Sequence, residues 1–452
     1  MSSRVASSAS SQQVAPSGLA AASVAEHFAQ DRGELLLGGQ RVSTLLARFG
    51  SPLFVYDSSV LDRRLQQLRQ TLPDRFQIYY SVKANPNQAI LRRMLARGCG
   101  LEIASIGELH QALAAGCSPD RIVFAGPGKT EAELSEAVNC HLGEVHVESL
   151  REGKLLAGIA QRASRRVRIS LRVNPSEAAQ GGAMRMGGRA PPFGIDEEQL
   201  PGVVEELLRE PSLHIAGLHL FVGTQILDAD VLAAQYQVGL AIARRLAEQL
   251  RRPLETLDFG GGLGVPYFAG EEPLDLQRLR SRLDELMASI AGEAAFASTQ
   301  FLVEPGRFLV AEAGVYLARV LDVKRSRDKT FVVTDGGMHH HLAASGNLGQ
   351  TIKRNFPLVV ANKLDQPAAG KVEVVGPLCT PLDVLARQFE APAVEPGDIV
   401  AVLHSGAYAR TASPLGFLSH SSPAEVLVGD GQARLIRRRG RPEDYLVDQT
   451  DL

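Results

Sequence analysis

The stretch Phe76-Gln77-Ile78-Tyr79-Tyr80-Ser81-Val82-Lys83-Ala84-Asn85-Pro86 decides how the chain is read. Phe76 to Tyr80 is rich in aromatic and β-branched residues and reads as a short strand. Lys83 stands just past its end, and Asn85-Pro86 stops the run before a helix opens. An amine at the carboxyl end of a buried strand sits where burial lowers its pKa, which suits covalent work on carbonyls. The local pattern also fits a lysine that snorkels to the surface, so the neighbouring segments decide.

Pro52-Leu53-Phe54-Val55-Tyr56 precedes this unit as a strand, and Leu61, Leu65, Leu68 and Leu72 then share one helix face. After Lys83 comes a helix carrying Ile90, Leu91, Met94 and Leu95, then a strand from Leu101 to Ser105 and a helix from Glu108 to Ala115. Arg121 to Ala125, Glu144 to Val147 and Val167 to Val173 continue the series, the last running into Asn174-Pro175. His214 to Val222 and Leu254 to Phe259 flank a long helix from Asp228 to Leu250, and Gln300 to Val303 closes the series. Repeated strand–helix units predict a parallel sheet, and their number predicts a closed (β/α)8 barrel of the TIM type. An open doubly wound sheet is the alternative.

Beyond residue 312 short strands dominate: Thr330 to Thr334, Lys371 to Val375, Asp398 to Leu403, and a hairpin turning through Gly429-Asp430-Gly431. The expected organisation is a disordered tail at 1–25, a segment at 26–56 that joins a β domain, a barrel at 57–311 and a mostly-β domain at 312–452.

Composition narrows the function. The 45% hydrophobic and 22% charged shares are those of a soluble globular protein. A net charge of −2, from 48 basic and 50 acidic residues, argues against a nucleic-acid or membrane-surface role. Cys99, Cys117, Cys140 and Cys379 lack paired short spacings, so neither a disulfide framework nor a zinc site is expected, and a reducing cytoplasm is the natural setting. The apolar run from Phe301 to Val323 is broken by Glu304, Arg307, Glu312 and Arg319 and cannot span a membrane.

Strand ends of a barrel gather functional residues, and four here are unusual, of which Asn174-Pro175 suggests no definite role. Asp258-Phe259-Gly260-Gly261-Gly262-Leu263-Gly264 lets backbone N–H groups approach an anion, phosphate above all, although tight turns use glycine too. Glu304-Pro305-Gly306-Arg307 sets a carboxylate and a guanidinium beside it, or forms a buried ion pair at a domain boundary. Phe221-Val222-Gly223-Thr224-Gln225 offers a ring to cover a flat cofactor and a hydroxyl for its phosphate, or simple packing. A lysine, a phosphate cradle, a carboxylate and an aromatic face together are what pyridoxal 5′-phosphate requires.

Tyr80-Ser81-Val82-Lys83-Ala84-Asn85, Gly260-Gly261-Gly262, Glu304-Pro305-Gly306-Arg307, Gly376-Pro377-Leu378-Cys379 and Gly406-Ala407-Tyr408 follow in that order. In these motifs, across roughly residues 35–440, the chain resembles the alanine-racemase-fold pyridoxal phosphate decarboxylases, the family of diaminopimelate and ornithine decarboxylases. The resemblance implies that Lys83 carries the internal aldimine, that Glu304 meets the pyridine nitrogen, and that Gly261, Gly262, Thr224, Arg307 and Tyr408 surround the phosphate. It places Arg307 also near the substrate carboxylate. Cys379 is expected to reach the active site of a partner in a head-to-tail homodimer and to help protonate the quinonoid carbon after CO₂ leaves. No metal is implied.

Three departures from the family matter. The ring-stacking histidine is replaced by Phe221, which stacks but neither hydrogen-bonds nor titrates. The acidic residue after the cysteine, which meets a distal ammonium, is Thr380, with Asp383 three positions on. Pro192 replaces a basic residue ahead of Phe193-Gly194-Ile195. A hydroxyl does not compensate a buried ammonium, so a free substrate with a distal ammonium is not expected. Thr380 and Asp383 join Arg307 as candidate substrate contacts. The segment is similar to a divergent branch of secondary-metabolism and exosortase-associated decarboxylases, some of which take an amino acid tethered to a carrier protein. Diaminopimelate decarboxylation and amino-acid racemisation are the alternatives; Glu304 opposite the ring nitrogen favours decarboxylation. His339-His340-His341 follows Asp335-Gly336-Gly337 and is read as bordering the substrate rather than binding metal. Gly126-Pro127-Gly128-Lys129-Thr130 lacks the spacing of a phosphate loop.

Overall fold

The computed structural model describes residues 18–176, 184–185, 192–221 and 223–450. Eight parallel strands close on themselves: β1 (Phe76–Ser81), β2 (Gly100–Ile103), β3 (Ile122–Phe124), β4 (Glu144–Val147), β5 (Val167–Asn174), β6 (Leu213–Leu220), β7 (Thr256–Asp258) and β8 (Gln300–Val303). Each pairs with the next, and β8 returns to β1 through Phe301 opposite Phe76. The closed barrel, and not the open sheet, is therefore the architecture.

Local sequence explains the alternation. β2, β3 and β4 are buried throughout, as strands covered on both faces must be. The intervening helices open on short polar side chains that accept from a free backbone N–H: Asn87 at Gln88–Ala96, Ser105 at Ile106–Ala114, Ser149 at Leu150–Arg162, Asp228 at Ala229–Leu250. Thr130 and Glu133 form a reciprocal capping box at Glu131–Cys140.

The second unit is a sheet with an interior strand from the start of the chain. Leu53–Asp57 runs antiparallel to Gly314–Ser326 and parallel to Ala424–Gly429. The hairpin of Ala424–Gly429 with Gln432–Arg437 lies at one edge, and Lys329–Thr334, Gly370–Val375 and Val384–Ala391 extend the other.

The tail expected at 1–25 is not what residues 19–25 form. They belong to a helix, Leu19–His27, that buries Ser23, Val24 and His27. Its alanines favour helix intrinsically. Ser23 Oγ lies 2.8 Å from His404 Nε2, and His27 faces Glu312 across 3.6 Å, which ties the segment to both units. Residues 1–17 lie outside the described residues. Among the described residues no helix is long and apolar enough to cross a membrane.

Candidate active site

A cavity of about 540 Å³ opens at the carboxyl ends of the strands, with Lys83, Glu102, Phe221, Glu304, Arg307 and Tyr408 in its wall. Lys83 rides on a single helical turn, Val82–Ala84, directly after β1. Its Nζ donates to Glu102 Oε1 at 2.9 Å and Oε2 at 3.0 Å, and the side chain is 45% open to the cavity. Burial pulls the ammonium down, but Glu102, then Tyr408 and Glu304, outweigh it and hold its pKa above the usual value. The lowered value expected from burial alone is thus reversed by a neighbouring carboxylate. Glu102 was missed in the sequence; its signal is a lone carboxylate in the apolar strand Leu101-Glu102-Ile103.

The glycine run after β7 is folded back on itself. Gly260 and Gly262 have φ of +66° and +102°, which glycine adopts without a steric cost. Gly260 N–H donates to Asp258 Oδ1 at 2.8 Å, and Gly260 O accepts from Glu304 N–H at 2.7 Å. A Cβ on Gly261 would lie 2.7 Å from the Glu304 carbonyl oxygen, so the loop approaches the next strand end as closely as a backbone can. The ring of Phe221 packs against Gly260, and Thr224 stands in the adjoining short strand Gly223–Thr224.

Glu304 is 5% exposed, and its Oε1 has no hydrogen-bond partner. Arg307 opens the short helix Arg307–Val310; its guanidinium lies over Tyr408 at 4.7 Å, donates to Tyr267 Oη at 3.3 Å, and leaves Nε without a partner. Tyr408 comes from the β unit, and its N–H donates to Ala84 O at 2.9 Å, beside Lys83. Asn85 Nδ2 donates to Gly406 O at 3.0 Å, a second tie between the same two segments.

These residues fit pyridoxal phosphate. Glu304 Oε1 is a buried acceptor lacking its donor, the place for a protonated ring nitrogen. The glycine cradle admits no side chain, and the Arg307 Nε lacks an acceptor, the place for a phosphate.

Three expected contacts lie elsewhere in this chain. Cys379 is exposed and does not line the cavity. Thr380 belongs to the same turn, its N–H donating to Leu378 O at 2.8 Å. Asp383 turns inward: Oδ1 accepts from Met338 N–H at 2.6 Å and Oδ2 from Leu378 N–H at 2.9 Å, while burial raises its pKa. A carboxylate engaged by two backbone donors organises the loop and is not free for substrate. The three histidines do not border the cavity either. His340 hydrogen-bonds Tyr316 Oη at 3.0 Å, and His341 Nε2 meets Ser405 Oγ at 3.0 Å. Burial pushes His341 down to about 3 and His339 to about 4, so both are neutral packing groups. Lys129 Nζ donates to Gly126 O, His146 O and Glu152 and has no phosphate role. The cysteines are unpaired.

The mouth of the cavity is aromatic, which the sequence did not single out. Phe193, Phe268 and Phe356 line it, Arg172 lies 5.1 Å above the Phe193 ring, and Arg172 Nη1 donates to Glu148 Oε1 at 2.6 Å.

Comparison with known proteins places this geometry among relatives. The pyridoxal-binding domain of the pyridoxal-dependent decarboxylases matches residues 58–311. An L-glutamyl-[BtrI acyl-carrier protein] decarboxylase from Niallia circulans is 36% identical over 90% of this chain and 96% of its own. A 2-[(L-alanin-3-ylcarbamoyl)methyl]-2-hydroxybutanedioate decarboxylase from Staphylococcus aureus is 32% identical over 82% of this chain and 92% of its own. The crystal structure of diaminopimelate decarboxylase from Helicobacter pylori complexed with L-lysine superposes with a TM-score of 0.79 at 29% identity, covering 89% of this chain and 97% of that one.

Proposed function

As the chain belongs to the pyridoxal-dependent decarboxylases, we propose that its substrate is an amino acid whose distal end is masked, with a carrier-protein-bound glutamyl group as the leading case. The chain is a carboxy-lyase that uses pyridoxal phosphate and acts on an amino acid or amino-acid derivative.

One observation carries the substrate reading. Of the carboxylates that line the cavity among the described residues, Glu102 is engaged by Lys83 and Ser81, and Glu304 faces the ring-nitrogen position. None is left to meet a distal ammonium, and the residue after Cys379 is the neutral Thr380. A buried ammonium without a partner costs several kcal/mol, roughly 3–5 when one member of a pair is missing. The named substrates of the Niallia circulans and Staphylococcus aureus relatives carry their reacting amino acid on a larger group.

Bound pyridoxal phosphate supplies the electron sink that lets the α-carboxylate leave. Lys83 would hold it through its amine, Glu304 would accept from its ring nitrogen, and Gly261, Gly262, Thr224, Arg307 and Tyr408 would hold its phosphate. Phe221, in the cavity wall, would exclude water there and has no proton to offer. Cys379, turned outward on its own chain, supplies the α-carbon proton to the cavity of a second copy in a head-to-tail homodimer.

The test is CO₂ release by the holoenzyme from glutamyl-S-pantetheine and glutamyl-carrier protein, beside free glutamate, ornithine, lysine and meso-diaminopimelate. Turnover confined to the thioesters is the expected result. Turnover of free diaminopimelate would overturn the reading and make the chain a diaminopimelate decarboxylase.

A further inference from the structure

At the cavity floor, four buried ionisable side chains from four strand ends meet: His146 of β4, His219 of β6, Asp258 of β7 and Glu304 after β8, with His219 and Glu304 reaching the cavity wall. One ligand atom of each lies within 4.8 Å of those of the others. Six of their polar atoms have no hydrogen-bond partner: both ring nitrogens of His146 and of His219, Asp258 Oδ2 and Glu304 Oε1. Folded proteins rarely tolerate one such group, and a cluster of six calls for a functional reason.

The arrangement is ordered around Glu304. His219 Nε2 stands 3.4 Å from Glu304 Oε2, and His146 Nδ1 stands 3.9 Å from Glu304 Oε1. The two imidazoles lie against each other with centroids 4.2 Å apart. On its far side His146 Nε2 faces Glu144 at 3.6 Å and Asp258 Oδ2 at 3.8 Å. Glu144 is itself fixed by Ser170, by Thr256 Oγ1 at 3.0 Å and by Arg168 at 3.5 Å. The remaining charged groups near the floor, Glu102 and Arg172, are paired with Lys83 and Glu148.

Asp258 and Glu304 are neighbouring buried carboxylates, and two such groups do not both ionise without compensation. Burial, and then Glu304, push the Asp258 carboxyl well above the usual range, so it keeps its proton. Its other oxygen is already taken by Gly260 N–H. Burial, and then His146 and Arg172, push His219 well below the usual imidazole value, so it is a neutral ring with one N–H to give.

We propose that His146 and His219 are positioning residues for the cofactor's ring nitrogen: His219 Nε2 at one oxygen and His146 Nδ1 at the other hold the Glu304 carboxyl with Oε1 turned to the ring. How that carboxyl is held decides whether the ring nitrogen meets an acceptor, and hence how strongly the ring can draw electrons. A divalent cation on the same four groups is the competing occupant by spacing. It would claim the one carboxylate the ring nitrogen needs.

The experiment uses His146→Gln and His219→Asn in the full-length holoenzyme, each also combined with Glu304→Gln. Each single change is expected to lower kcat on the order of 10–100-fold, the range seen when outer partners of a site ligand are removed. In the Glu304→Gln background the same changes should cost nothing further. Reconstitution with the deaza analogue of pyridoxal phosphate, which lacks the ring nitrogen, should abolish the penalty. In the apoprotein, His146→Gln should add a protonated-carboxyl infrared band that Glu304→Gln removes. Equal losses with both cofactors, without the new band, would show a structural role and overturn the proposal. One equivalent of divalent metal in the purified protein would also overturn it. Should His146→Gln fail to fold, His219→Asn carries the same comparisons.

Discussion

Lys83 Nζ lies 2.9 Å from Glu102 Oε1, so the amine that must take up the cofactor is clamped by a buried carboxylate. The pair raises the Lys83 pKa despite burial. Its contribution to stability is therefore complete at neutral pH and is lost only as the pH rises through the alkaline range. At neutral pH the ammonium dominates and the reactive amine is scarce. Cofactor uptake by the apoprotein, followed by absorbance, should quicken with pH by up to about tenfold per unit. Glu102→Gln should speed uptake at pH 7 and flatten that dependence; uptake that is slower, or equally steep, would count against the clamp.

Lys83→Ala should leave the fold intact, because the side chain points into the cavity and supports no packing. Covalent retention of the cofactor, read by dialysis, and CO₂ release should both disappear. Residual turnover above that of free pyridoxal phosphate would remove Lys83 from the mechanism.

Gly262 has φ of +102°, and a Cβ there would lie 3.0 Å from Gly223 O. Gly262→Ala should destabilise the protein by about 1 kcal/mol or more, read from denaturant unfolding. Its cofactor dissociation constant should rise as the cradle shifts. An unchanged constant would show that this glycine serves the turn and not the phosphate.

The proposed sharing of sites between subunits has a quantitative signature. Lys83→Ala and Cys379→Ala homodimers should each be nearly inactive. After mixing and re-association, about one quarter of wild-type activity should return, because half the dimers are mixed and each has one intact composite site. No recovery would place Cys379 outside the partner's site.

At the junction of the two units Glu312 meets Arg64 Nε at 2.8 Å and His27 at 3.6 Å. Burial opposes its charge, but His27 and Arg64 prevail and lower it from the usual 4.5 to about 2. Stability from this group is present above pH 4.5 and lost as the pH falls towards 2. Burial lowers the adjacent His404 from 6.5 to about 4, so the unfolded chain takes up that proton first and stability falls between those values as well. Glu312→Gln should cost about 3 kcal/mol at pH 7, and the difference from wild type should shrink as the pH falls from 4.5 towards 2. A constant difference across that range would refute the assignment.

The barrel was legible because its strands and helices carry distinct periods, as Leu61, Leu65, Leu68 and Leu72 on one helix face show directly after the strand at Pro52 to Tyr56. Lys83, Glu304 and the glycine run were legible because each breaks the pattern of the strand it follows. Glu102 was not, since a single carboxylate in a four-residue strand looks like any charged end until the closure of β1 on β2 brings it to Lys83. The histidine run misled for the opposite reason: adjacency along the chain suggested a site, whereas Tyr316 and Ser405 draw its rings into the core. The helix at Leu19–His27 depends on His404, more than 370 residues away, as the separation of 381 for its contact with Ser23 shows.

The strand Leu53–Asp57 sits between Gly314–Ser326 and Ala424–Gly429, so the barrel is an insertion within the sheet domain. During synthesis this strand leaves the ribosome early and waits for both partners until the chain is almost finished. The barrel can close in the meantime, since all its strands are made first. Tyr408, whose N–H binds beside Lys83, comes only with the last part of the sheet. A nascent or truncated chain therefore has its reactive amine without the wall that encloses it, and assembly of the enzyme is timed by the arrival of its own carboxyl-terminal end.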